Sequence, residues 1–139
     1  MKYLGLDLGS RTLGIAVSDK LGIIASSYLV IRHNEEYEQL IEEVKRIVQE
    51  LEIDAIVLGF PKNMNNTIGP KGELSLEFQK KLKENLTIPV YLQDERLTTK
   101  SAHDVLIEGN VSRQDRKKVV DAVAATFILQ SYLDRRDKE

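Results

Sequence analysis

The sequence predicts an α/β fold: a mixed five-stranded sheet with helices on both faces. Three observations carry this. The first 32 residues alternate apolar with small or polar side chains, as a strand does; the stretch after Asn34 switches to helical spacing; and two later apolar runs, AIVLGF and VYLQ, flank a second helical stretch. Strand–helix–strand units require parallel pairing through a right-handed crossover. An antiparallel meander must therefore give way to parallel strands within one sheet.

In the first strand Leu4, Leu6 and Leu8 alternate with Tyr3, Gly5, Asp7 and Gly9. In the second, LGIAVSD, Leu13, Ile15 and Val17 alternate with Gly14, Ala16 and Ser18. A third runs from about Gly22 to Ile31, and the short connections Gly9-Ser10-Arg11 and Asp19-Lys20-Leu21-Gly22 suit hairpins. Asn34 is the expected N-cap of the first helix, with Glu35 and Glu36 in its first turn, where the helix dipole favours anions. Tyr37, Leu40, Ile41, Val44, Ile47, Val48 and Leu51 form its apolar stripe. AIVLGF reads as a buried strand. The polar, breaker-rich segment PKNMNNTIGPKG, from Pro61 to Gly72, reads as a long loop of the functional kind. Leu74, Phe78, Leu82 and Leu86 mark a second helix, and Pro89 introduces the strand VYLQ. Thr98 caps an expected helix that Gly109 ends, and a last helix spans roughly 115–134.

Bulk properties narrow the function. At 139 residues the chain fits one domain, residues 1–139, with one core. It has no cysteine, which removes disulfides, thiol catalysis and thiolate zinc sites and suits a cytoplasmic protein. Its two histidines, His33 and His103, argue against a histidine-built metal centre. No run reaches the roughly 20 apolar residues of a membrane span. The net charge of −2 confines any nucleic-acid surface to a local patch.

Three acidic residues stand where an ordinary core would not hold them. Asp7 lies within the first strand; the same-face neighbours Gly5 and Gly9 leave room for a ligand or another backbone to approach. Asp121 interrupts the apolar helix KKVVDAVAATFILQSYL and shares a face with Ala124, Ala125 and Ile128. The apolar turns after it predict a helix buried nearly all round. Glu95 follows VYLQ; alternation sets Tyr91, Gln93 and Glu95 on one face and Val90, Leu92 and Asp94 on the apolar one. That selects Glu95 over Asp94 as the site carboxylate, although an ordinary charged loop accounts for the same residues. A lone buried carboxylate costs several kcal/mol or takes up a proton. Three that converge call for a cation, and Mg²⁺ or Mn²⁺ prefers such oxygen ligands.

Cations gather near these positions. Arg113, Arg116, Lys117 and Lys118 open the last helix, where they oppose its dipole, and an anionic partner would offset that cost. Arg11 and Arg96 lie beside the acidic residues in sequence and could clamp a scissile phosphate. Lys62 and Asn63 in the long loop could reach backbone or bases. These residues are the expected substrate contacts.

GLDLGSRTLGIAVSD, GFP with its following loop, DERLTT and DAVAATFILQSYL together resemble the family of pre-16S rRNA nucleases, also called Holliday-junction resolvases of the YqgF or RuvX type. The similarity covers essentially the whole chain. It implies an RNase H-like fold and a divalent-metal nuclease with Asp7, Glu95 and Asp121 as metal ligands. It further implies a bacterial cytoplasmic role in maturing the 5′ end of 16S rRNA. The partner is then nucleic acid, either precursor rRNA or branched DNA, with the protein a monomer or homodimer. A non-catalytic RNA-binding assembly factor on the same fold is the other reading. DLGSRTLG also resembles the first phosphate loop of actin-like ATPases, but those need two such domains, and this chain lacks the room.

Overall fold

A computed structural model describes the chain over residues 1–61, 68–94 and 113–137, with side chains in the last segment over 123–136. Five strands form one sheet in the order β3-β2-β1-β4-β5. They are β1 (Tyr3–Leu8), β2 (Thr12–Ser18), β3 (Ala25–Arg32), β4 (Ala55–Phe60) and β5 (Val90–Asp94). The first three pair antiparallel, with a register shift at Ile15/Ala16; β4 pairs parallel with β1, and β5 parallel with β4. This is the expected meander followed by crossovers. The helices are α1 (Tyr37–Leu51), α2 (Pro70–Asn85) and α3 (Arg113–Asp137).

Strand alternation splits the core into two layers. Leu4, Leu6, Leu13, Ile15, Ile56, Leu58 and Val90 pack against α1 and α2. Tyr3, Ala16, Ala55 and Val57 face the other way and pack against Ala125, Ile128, Leu129 and Leu133 of α3. All six residues of β4 are buried, as a central parallel strand covered on both faces requires.

Three expectations need correction. Asn34 does not cap α1. The helix starts at Tyr37 with Glu36 at the cap position, no side-chain cap bond, and Glu35 in the left-handed region at φ 64°. The chain must turn sharply out of β3, and that turn uses up the residues that helical spacing alone assigned to the first turn. The segment to Gly72 is not all loop, because Gly69 caps α2 and Pro70 opens it, where a missing N–H costs nothing. Finally, α3 is not buried all round: Ala124, Ala125, Ile128, Leu129 and Leu133 are buried, while Ser131, Asp134 and Arg135 are exposed. A helix lying on one face of a sheet has an outer side whatever its composition. The helix expected from Thr98 to Gly109 and the loop residues 62–67 lie outside the described residues. No helix among the described residues is long and apolar enough to cross a membrane.

Candidate active site

Asp7 occupies the α3 face of β1, half-buried, one residue before the strand ends. Its surroundings on that face are built from glycines. Gly5 and Gly9 flank it along the chain, and Gly14 is its cross-strand partner on β2. Leu6 pairs with Leu58 on β4, so the next row sets Asp7 level with Gly59, which pairs in turn with Gln93 on β5. Paired residues share a face, so no side chain stands between Asp7 and Gln93 across the sheet.

Gly5 also governs how closely α3 approaches. A Cβ built on Gly5 would lie 2.7 Å from Leu129 Cβ and 3.1 Å from the Ala125 carbonyl oxygen. The room above Gly5 is thus taken by helix backbone, one of the two occupants that the sequence allowed. Further contacts fix the helix direction. Arg136 Nη1 donates to the Tyr3 hydroxyl at 2.6 Å, and the Gln130 side chain accepts from Ala25 N–H at 2.8 Å while donating to Ile23 O at 2.9 Å. Ser27 and Thr126 hydroxyls lie 2.8 Å apart.

As β1 advances from Tyr3 to Gly5, its neighbours on α3 retreat from Arg136 to Leu129 and Ala125. Two strand residues advance about 6.6 Å and four helix residues about 6 Å. The same antiparallel course therefore brings backbone positions of about 121–125 to the level of Asp7. Positions 113–118 continue past it, beyond the carboxyl end of β1. The Asp121 side chain and those of Arg113, Arg116, Lys117 and Lys118 lie outside the described residues, as do Lys62, Asn63, Glu95 and Arg96 entirely. Among the described residues no group of three His, Cys, Asp or Glu side chains could hold a metal ion. Asp7 is the one expected ligand whose side chain is described.

The turn after Asp7 is rigidly held. Gly9 N–H donates to Thr12 O at 2.8 Å, and His33 N–H donates to Arg11 O at 2.9 Å. His33 Nδ1 accepts from Glu35 N–H at 3.1 Å, so the neutral ring carries its proton on Nε2 and donates it to Gly9 O at 3.1 Å. Arg11, exposed on this turn, thus sits on a fixed backbone at the same end of β1 as Asp7. The sequence reading gave His33 no such part.

Gln93 is the other residue that the sequence reading passed over as functional. It is only 8% exposed, and its Oε1 has no hydrogen-bond partner among the described residues, while Nε2 reaches Asp94 O at a long 3.4 Å. A buried amide oxygen without a partner costs about 1–3 kcal/mol, so its retention calls for a physical reason such as a bound water, an ion or a catalytic role. Composition could not flag it, because a glutamine is anomalous only once its burial is known.

A family model described as "RuvX: Holliday junction resolvase" matches residues 1–135. The chain belongs to the RuvX family. This is a nuclease family, whose members hydrolyse phosphodiester bonds. Two relatives from Clostridium botulinum, strains Eklund 17B and Hall, are each 51% identical over 138 residues, covering 99% of this chain and all of theirs; both are named "Putative pre-16S rRNA nuclease". Among solved structures, Thermus thermophilus RuvC in complex with a Holliday junction superposes with a TM-score of 0.61 at 16% identity, over 99% of this chain and 96% of that one. Thermus thermophilus RuvC alone gives 0.58 at 16%, over 99% and 97%. At that identity the likeness speaks for the RNase H-like fold.

Proposed function

We propose that this RuvX-family chain is a divalent-metal-dependent nuclease, one domain over residues 1–139, that processes the 5′ end of precursor 16S rRNA in the cytoplasm. The observation that supports the site is Asp7 set among Gly5, Gly9, Gly14 and Gly59 on the face that α3 covers closely over Gly5. Glu95, which directly follows β5 in the sequence, is the second proposed ligand.

These donors fit a hard cation. Asp7 offers carboxylate oxygens on a rigid strand, and in the same row of the sheet Gln93 offers a buried amide oxygen with no partner among the described residues. Asp7, Glu95 and Asp121 would hold Mg²⁺ or Mn²⁺, which when bound supplies an activated water and offsets charge on the departing oxygen. Arg11, on its fixed turn, binds a non-bridging phosphate oxygen, and Arg96, Lys62 and Asn63 are further proposed substrate contacts. Arg113, Arg116, Lys117 and Lys118, beyond the Asp7 end of the sheet, hold the flanking backbone phosphates.

The relatives' name supports precursor rRNA as the substrate. The family description favours a second reading, four-way DNA. Junction cutting requires two sites related by a dimer axis, whereas processing of rRNA is possible for a monomer. The test is Asp7→Asn assayed with Mg²⁺ on a precursor 16S 5′-end fragment and on a four-way junction. Cleavage of the rRNA fragment should fall by more than about 100-fold, with an unchanged melting curve. Undiminished cleavage by the variant overturns the site; wild-type cleavage of the junction alone overturns the substrate.

A further inference from the structure

On the α3 face, one row before Gln93, β5 carries Tyr91, 41% exposed although it packs on a helix. Its ring stacks on Tyr132 of α3, with centroids 5.6 Å apart and planes 16° from parallel. Tyr132 is held from behind. Buried Tyr3 meets it at 5.8 Å and 54°, Arg136 lies 4.9 Å from the Tyr3 ring centroid, and the Arg135 guanidinium lies 5.7 Å from the Tyr132 centroid. The result is a supported stack that ends in a tyrosine open to solvent. Burial raises the Tyr132 hydroxyl above the ordinary tyrosine pKa, with Tyr3 and Tyr91 adding to the shift, so it stays a neutral phenol.

The position of this stack matters as much as its make-up. Tyr91 pairs with Val57, which pairs with Gly5, so its row lies next to that of Asp7. Two residues along the strand and two strands across separate them by about 12 Å. Among the described residues α3 packs chiefly over β1, β2 and β3 and only lightly on β4 and β5, so it leaves the β5 side of this face, next to the row of Asp7, the less covered. A rigid aromatic face backed by exposed Arg135 offers what an unpaired base and its phosphate need: a π-surface already in place and a cation nearby.

We propose that Tyr91, backed by Tyr132 and Arg135, is a stacking platform for an unpaired base of the nucleic-acid strand bound at Asp7. The proposal rests on the nuclease reading and adds to it a preference for single-stranded substrate flanking the cut. Stacking favours the larger purines, so oligoadenylate binds more tightly than oligouridylate. An ordered platform loses little freedom on binding, so the contact contributes fully to affinity.

The test is fluorescence anisotropy with 5′-labelled short single-stranded oligoadenylate in Mg²⁺, the probe confirmed intact on a gel. Tyr91→Leu, which keeps the apolar cover on Tyr132, and Tyr91→Ala should each weaken binding by about 5- to 100-fold, while Tyr91→Phe keeps wild-type affinity. Thermal melts of all three show whether the fold is retained, and Tyr91→Leu decides the matter if Tyr91→Ala unfolds. Folded Tyr91→Leu binding as tightly as wild type overturns the platform. So does a wild type that binds a duplex but no single strand. A Tyr91→Leu variant that instead dissociates a wild-type dimer in sedimentation assigns the ring to a second copy and equally overturns it. Failure of the nuclease reading has a different signature: no cleavage of any substrate, with oligoadenylate binding still dependent on Tyr91.

Discussion

Gly5→Ala tests the packing that builds the site. The added methyl would sit 2.7 Å from Leu129 Cβ and 3.1 Å from Ala125 O. Carbon atoms rest at about 3.5–4.0 Å, so the deficit toward Leu129 is roughly 0.8–1.3 Å. Neither obstacle is the end of a flexible side chain: one is a Cβ and the other a backbone carbonyl, so α3 itself must lift. Overpacking of this kind costs about 1–3 kcal/mol, which lowers the melting temperature by roughly 3–12 °C. Because position 121 is one helical turn from Ala125, the lift carries it away from Asp7 by nearly the full deficit. Misplacement of a reacting group by about 1 Å costs on the order of 100-fold in rate. Urea unfolding and cleavage kinetics on the purified variant measure both effects. A variant with wild-type stability and wild-type cleavage would refute the close approach of α3 to β1 and, with it, the route proposed for bringing position 121 to the site.

Two further outcomes follow from the same structure. Gln93→Leu, which removes a buried amide oxygen with no partner among the described residues, should leave stability unchanged or raise it by about 1 kcal/mol in urea while slowing cleavage; a destabilised variant with normal turnover would show that the amide serves only the fold. Asp19 accepts from the N–H groups of Ile23 at 2.7 Å and Ile24 at 3.1 Å in the β2–β3 turn, and these bonds hold its carboxyl below the usual carboxylate range. A depressed folded-state pKa stabilises the fold above the ordinary carboxylate pKa, and the gain is lost as pH falls through the lowered value. Asp19→Ala should therefore melt below wild type at neutral pH and converge with it in strong acid; a gap that does not change with pH would rule out the carboxylate as its source.

Periodicity alone determined the order of the described strands and helices, because alternation and helical spacing are local properties of the chain. It failed at element ends. Asn34 lost its capping role to the sharp exit from β3, and Pro70 opened α2 inside an expected loop. Chain ends of helices depend on where the next element must go, and local spacing does not encode that.

The site divides along the same line. An aspartate inside GLDLG is visible in one dimension, since Gly5 and Gly9 are neighbours along its own strand. Gly14 and Gly59 join them only through pairing with β2 and β4, and Gln93 becomes anomalous only when burial strips its amide oxygen of water. The antiparallel lie of α3 over β1 was likewise decided by tertiary packing, through Gly5, Gln130 and Arg136. Sequence thus determined which residues are out of place in an ordinary core. Only the folded sheet decided which of them share a row, because register is set by hydrogen bonds between strands far apart in the chain.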